Sequence, residues 1–434
     1  MTTAASSLIL LGLLVLFLGA GTWIFSGLML VGASAMYFVL DFNLARIGSI
    51  ATKVISSSAI SWELAAIPIF MWMGDIIFRT DISQRLFRGL APMVARIPGG
   101  LLHTNVFGCT VFAAISGSST ATTATVGKIT IPELQKRGYD INLASGSLAG
   151  AGSFGLLIPP SIAMIVYGVL AQVSIADLFA AGLIPGLMMA GLYSGYIAIS
   201  AILNPAKAPR YEGEITIGTL GKGMLELLPI LILMFIVLGS IYSGIATPSE
   251  AAAVGVLGAV VITIVTGQFS LKLMRDSLMN TIRVSAMILM LIAASAFLSA
   301  AIAYMHLPTQ ITETISAMNL SPYGVLLILA ALYIVLGMFL DGTSMTVMTV
   351  PIAVPLIVQA GFDPLWFGIY LVIMIEMSAL TPPVGLNLYV LQGLTGDSMG
   401  RTVRAAAPFF ILLCIGTVIL AAFPQVVLWL PNAL

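Results

Sequence analysis

The sequence predicts an all-α polytopic membrane protein made of two inverted-topology repeats, each holding a re-entrant helical hairpin and a broken transmembrane helix. Three observations lead there. First, 59% of the 434 residues are hydrophobic and 8% are charged, against about 25% charged in a soluble globular domain. Second, the charges are spaced for membrane helices. None precedes Asp41, and none lies between Asp140 and Asp177 or between Asp177 and Lys207; uncharged apolar runs of about 20 residues are long enough to cross a bilayer. Third, several features recur in order at a fixed offset of 223 residues.

Residues 8–40 would span about 50 Å as one helix, too long for a ~30 Å hydrocarbon core, so two helices broken near Gly19–Gly21 are expected. Residues 41–59, with Arg46 and Lys53, read as a surface helix. Apolar stretches follow at 60–78, 98–120, 121–135, 142–171, 178–203, 226–242, 250–267, 284–304, 322–340, 345–360, 365–392 and 405–430. Basic residues cluster at Arg79–Arg96, Lys128–Arg137, Lys207–Lys222, Lys272–Arg283 and Arg401–Arg404. The positive-inside rule assigns these clusters to cytoplasmic loops and assigns 305–321, which has no Lys or Arg, to the outside. Residues 41–59 then fall outside, mildly against the same rule.

Arg96 and Arg137 are both inside, so the segment between them enters and leaves on one side. Its polar middle, Ser116-Gly117-Ser118-Ser119-Thr120, suits the turn of a hairpin over about 98–137. Five crossings after Asp140 bring the chain outside, from where a second hairpin, 322–360, enters and turns at Asp341-Gly342-Thr343-Ser344. The repeat joins these observations. Gly138-Tyr139-Asp140 matches Gly361-Phe362-Asp363; Pro159-Pro160 matches Pro382-Pro383; Pro132 matches Pro355; and the two hairpin turns match at 225. The reading is a first repeat over 1–203, a cytoplasmic linker at 204–222 and a second repeat over 223–434. An odd number of crossings per copy inverts one against the other, and inverted repeats with broken helices mark secondary transporters.

Each double proline interrupts an apolar span, one in 142–171 and one in 365–392. Irregular backbone inside a bilayer is tolerated where it is buried in protein or lines a cavity. Proline frees upstream carbonyls, and these, with Ser and Thr hydroxyls, are hard oxygen ligands for a small cation. Helix N-termini after the hairpin turns aim N–H groups at the same region and favour an anion. The candidate substrate and sodium residues are therefore Ser116, Gly117, Ser118, Ser119 and Thr120; Gly155, Pro159 and Pro160; Asp341, Gly342, Thr343 and Ser344; and Thr381, Pro382, Pro383, Gly385 and Asn387. Sodium serves as the coupling ion and no other cofactor is expected. A small-residue run can also serve helix packing alone; pairing with a repeat mate favours a site. Asp341 and Glu376, acids in apolar surroundings, are functional candidates, although Glu376 could equally pair structurally or face the outer water. His103 and His306 read as interfacial anchors.

Gly150-Ala151-Gly152-Ser153-Phe154-Gly155 has the GxGxxG spacing of dinucleotide folds but lacks the strand before it, so it reads as close helix packing. No Walker A string occurs. Cys109 and Cys414 imply neither a disulfide framework nor a zinc site. Equal acidic and basic counts, 17 each, give no basic surface for nucleic acid. The N-terminus has no basic stretch ahead of an apolar run too long for a signal peptide.

With these residues in place, Ser116-Gly-Ser-Ser-Thr-Ala-Thr, Ile131-Pro132-Glu133, Gly138-Tyr139 and Leu157-Ile158-Pro159-Pro160-Ser161 resemble the large membrane subunit of TRAP (tripartite ATP-independent periplasmic, DctM-like) transporters. So do Asp341, Pro351, Pro355, Gly361, Asp363-Pro364, Phe367-Gly368 and Thr381-Pro382-Pro383-Val384-Gly385. The resemblance covers the chain. It implies a bacterial inner-membrane location, a small membrane subunit (DctQ-like), a periplasmic substrate-binding protein (DctP-like), sodium-driven import and an elevator-type transport domain on a scaffold. It also implies a small organic acid as cargo, of the C4-dicarboxylate or sialic acid type, and surrounding membrane lipid. A standalone sodium/organic-anion symporter and, further off, a channel are the alternatives. A membrane enzyme is disfavoured, because two His and two Cys lie far apart.

Overall fold

The computed structural model describes residues 19–209, 216–306, 321–383 and 385–434, together with 9, 12–14, 16 and 17. Arg210, the middle of the expected linker, most of the 305–321 loop and Val384 lie outside the described residues. Among the described residues every regular element is helical.

The chain runs through α1 (Ile24–Phe38), α2 (Leu44–Ala59), α3 (Ala66–Phe78) and α4 (Ile82–Val94). Gly21, at a φ of 76°, marks the expected break before α1. Residues 41–59 do contain a helix: α2 is exposed along most of its length with Ile47 buried, and it meets the next helix at 60°. Asn43 starts it by accepting the Arg46 amide at 2.8 Å, the usual role of an N-cap.

The first hairpin is α5 (His103–Ser116) and α6 (Ser119–Lys136), and the first broken helix is α7 (Ile141–Gly152), a short α8 (Phe154–Leu157) and α9 (Ile162–Ala171). The two arms of that broken helix bend by 40°. There follow α10 (Ile175–Leu203), α11 (Ile217–Tyr242), α12 (Pro248–Val265) and α13 (Leu271–Tyr304). The second hairpin is α14 (Pro322–Gly337) and α15 (Gly342–Gln359); α16 (Pro364–Ala379) and α17 (Leu386–Thr395) stand on either side of the second double proline; α18 (Met399–Ala422) and α19 (Gln425–Ala433) close the chain. Both Pro159–Pro160 and Pro382–Pro383 are cis. Six of the helices are long and apolar enough to cross a membrane singly, and the bent pairs raise the number to eight.

Three sequence expectations change. The Arg79–Arg96 cluster is not a loop: most of it is α4, which buries Leu86, Leu90 and Val94 while Arg85 pairs with Asp81. Amphipathic spacing made this helix, and counting charges hid it. Lys272, Arg275 and Arg283 likewise lie inside α13, whose N-terminal third extends beyond the apolar run. Residues 405–430 divide at Phe423–Pro424 into α18 and α19.

Packing sorts the helices into two groups. In one, α13 lies along α1 and α3, and α12 along α3, with α11 against α4. Trp72 donates to Ser277 at 3.1 Å and Asn280 to Asp75 at 2.8 Å, fixing α3 to α13. In the other, the hairpins and broken helices interlock: α7 with α18, α9 with α15, α6 with α17.

Candidate functional site

The first hairpin turn is made by its own side chains. Gly117 ends α5 at φ 58°, a left-handed conformation that glycine adopts without penalty. The Ser116 hydroxyl accepts the Ser118 amide at 3.1 Å, donates to the Ser118 carbonyl at 3.0 Å and lies 2.8 Å from the Thr122 hydroxyl. Ser118 caps α6. In the second turn Asp341 caps α15, accepting the amides of Thr343 and Ser344 at 3.0 and 3.2 Å and the Ser344 hydroxyl.

The two turns meet. Gly117, Ser118, Ser119 and Thr120 share one cavity of about 220 Å³ with Asp341, Gly342 and Thr343. Two 18-residue helices, α6 and α15, therefore present their N-terminal ends to it, each carrying positive partial charge. Ser116 lines an adjoining space of about 280 Å³, and Ser344 another of about 390 Å³. The group packed around α13 contributes Met71 from α3 and Val284, Met287 and Ile288 from α13.

The proline breaks stand elsewhere. Pro159 and Pro160 are buried behind the first turn; a Cβ on Gly117 would come 3.3 Å from the Pro160 carbonyl. Gly155 lies tighter still, its hypothetical Cβ 2.5 Å from the Ser118 carbonyl carbon and the Ser119 nitrogen. These residues hold the turn rather than line the cavity. Gly150 and Gly152 do the same for helix packing, against Phe409 and Thr123, which accounts for the GxGxxG spacing. Pro382 and Pro383 are exposed, with Thr381 half-buried. Gly385 opens α17 at φ 45°. Asn387 is fully buried, and among the described residues neither its Oδ1 nor its Nδ2 has a hydrogen-bond partner.

Glu376 is the residue the sequence weighed without placing. It is 1% exposed, so it does not face outer water. It sits in the last turn of α16, accepts the Ser119 hydroxyl across 257 positions of sequence, and lines the shared cavity. Its Oε2 has no partner among the described residues; the Leu156 main chain faces it. An acid buried in an apolar span was the available signal. His103 is corrected too. It is fully buried, 2.8 Å from the Pro98 carbonyl and 2.7 Å from the Ser194 hydroxyl, so it ties α5 to α10 and anchors nothing at an interface.

Among the described residues no three His, Cys, Asp or Glu side chains gather. A cation in the cavity would be held by hydroxyl, carbonyl and single carboxylate oxygens, the donor set of transporter ion sites. An apolar helical bundle whose two hairpin turns meet in one cavity has the architecture of a membrane permease. The chain belongs to the family of the DctM component of tripartite ATP-independent periplasmic transporters, whose model matches residues 10–426. It is a multi-pass protein of the bacterial inner membrane. Permeases of this family work with a small membrane subunit and a substrate-binding protein.

The chain is 34% identical to the C4-dicarboxylate TRAP transporter large permease protein DctM of Pseudomonas aeruginosa, over 93% of each chain. It is 31% identical to the ectoine/5-hydroxyectoine TRAP transporter large permease protein UehC of Ruegeria pomeroyi, again over 93% of each. In fold it is similar to the YdaH transporter of Alcanivorax borkumensis, with a TM-score of 0.60 at 15% identity, covering 90% of this chain and 89% of the other.

Proposed function

We propose that the chain is the large permease of a sodium-coupled, binding-protein-dependent importer of an organic acid anion, working by an elevator movement of the hairpin group against the scaffold. The observation that carries this is the single cavity at which both hairpin turns and Glu376 meet. Its hydroxyls and helix N-termini suit a cation and a carboxylate side by side. The first turn, braced by Gly155 and Pro160, and the second, capped by Asp341, are the proposed sodium and substrate residues, with Asn387 as a further sodium-site candidate. The two relatives carry names for C4-dicarboxylates and for ectoines, and both chemistries present a carboxylate to a permease. A C4-dicarboxylate or sialic acid type of cargo fits this reading, and the periplasmic binding protein selects among carboxylates before the permease meets them.

The test is uptake into proteoliposomes holding the permease with its small subunit, with the binding protein added outside. Uptake of a C4-dicarboxylate or a sialic acid is expected only under an inward sodium gradient and only with the binding protein. Uptake that persists without the gradient would remove the coupling. Uptake without the binding protein would make the chain a standalone symporter. For the elevator, a cross-linked cysteine pair replacing Met71 and Ile162, which line one cavity from opposite groups, is expected to arrest transport; undiminished uptake would refute the movement.

A further inference from the structure

The charges around the cavities are unequal in number and in satisfaction. Three acids and one base line the shared cavity and its two neighbours: Asp341, Glu376, Asp75 and Arg283. Each acid already has a protein donor. Asp341 takes two helix amides, Glu376 takes the Ser119 hydroxyl, and Asp75 takes Arg79 and, at 2.8 Å, Asn280. Arg283 makes no ion pair and no hydrogen bond among the described residues, although it shares its cavity with Asp341 and Ser344.

Arg283 lies 12 residues into α13, about 18 Å along the axis at ~1.5 Å per residue. It is one turn from Met287, which lines both the shared cavity and the one holding Arg283. The two cavities share Met287 and Asp341 as lining residues, and Arg283 lines one of them from α13. Arg283 is exposed and stands where the N-terminal part of α13 gives way to its apolar run, so its charge is open to a ligand. Its guanidinium presents a planar fork that matches a carboxylate.

We infer that Arg283 is a substrate-binding residue: the fixed positive charge, supplied by the scaffold, that receives a carboxylate of the transported anion beside the second hairpin turn. This rests on the organic-anion reading above. The arrangement splits the labour between the two helix groups. Hydroxyls and amides on the hairpins hold the cargo, and α13 offers a counter-charge that the hairpin group passes as it moves.

The experiment measures sodium-driven uptake by the complete three-component system in vesicles of zwitterionic lipid, comparing wild type with Arg283→Gln and Arg283→Lys. Loss of a charged hydrogen-bonding partner should raise KM for the anion roughly tenfold to a hundredfold in Arg283→Gln. Arg283→Lys, which keeps the charge and loses the fork, should fall between. The sodium half-saturation and co-purification of the small subunit should not move, as they would if Arg283 were merely structural. An unchanged KM in Arg283→Gln overturns the inference. So does an effect seen only when anionic lipid is added, which would assign Arg283 to a lipid phosphate. Failure of wild type to take up any organic anion would instead refute the underlying function, and the two failures are distinct.

Discussion

Gly155→Ala adds one methyl group where there is no room for it. The new Cβ would stand 2.5 Å from two backbone atoms of the first hairpin turn and 2.6 Å from the Ser118 carbonyl oxygen. Comfortable contact begins near 3.5 Å, so the Ser118–Ser119 peptide must retreat by about 1 Å. No side chain can rotate to relieve this, because the opposing atoms are main chain. Overpacking of this kind costs about 1–3 kcal/mol, small enough for the protein to remain folded. The effect on transport is larger: a displacement of about 1 Å in a binding constellation costs on the order of a hundredfold. Proteoliposome uptake is therefore expected to drop by about two orders of magnitude while size-exclusion profile and subunit assembly stay normal. Gly191→Ala is the control, since a Cβ there meets nothing within 4 Å. Full uptake by Gly155→Ala, or equal loss in both variants, would refute the claim that Gly155 positions the turn.

Two further outcomes follow from the same geometry. Ser119→Ala strips Glu376 Oε1 of its donor, and Glu376→Ala strips Ser119 of its acceptor; a double-mutant cycle on thermal or denaturant stability should give a coupling of about 0.5–3 kcal/mol, and strict additivity would deny the contact. Asn387→Leu replaces a buried amide that has no protein partner with an isosteric apolar group, so stability should hold or rise slightly while the sodium half-saturation for uptake increases; an unchanged sodium dependence would remove Asn387 from the ion site.

Local chemistry was readable from the sequence, and long-range contact was not. Ser116–Thr120 and Asp341–Ser344 announce turns because Gly and N-capping residues interrupt apolar runs, and the structure places turns there. The double prolines announce broken spans for the same reason. What they touch is a tertiary matter. Gly155 and Pro160 brace the first turn from behind, whereas Pro382 and Pro383 are exposed, and identical dipeptides cannot disclose that difference. The α4 helix was hidden because its arginines, Arg85 and Arg88, share it with buried Leu86 and Leu90; charge clusters suggest loops, and amphipathic spacing overrides them. The meeting of Ser119 with Glu376 needed the folded chain, as did the isolation of Arg283.

That same Ser119–Glu376 contact also sets a clock. Its partners are 257 residues apart, and a bacterial ribosome adds roughly 5–20 residues per second. For about 13–50 seconds after Ser119 is made, the first hairpin waits in the membrane without the carboxylate that completes it. Biogenesis of this permease thus includes an interval in which half a binding cavity exists alone, and membrane chaperones or the small subunit have that long to shield it.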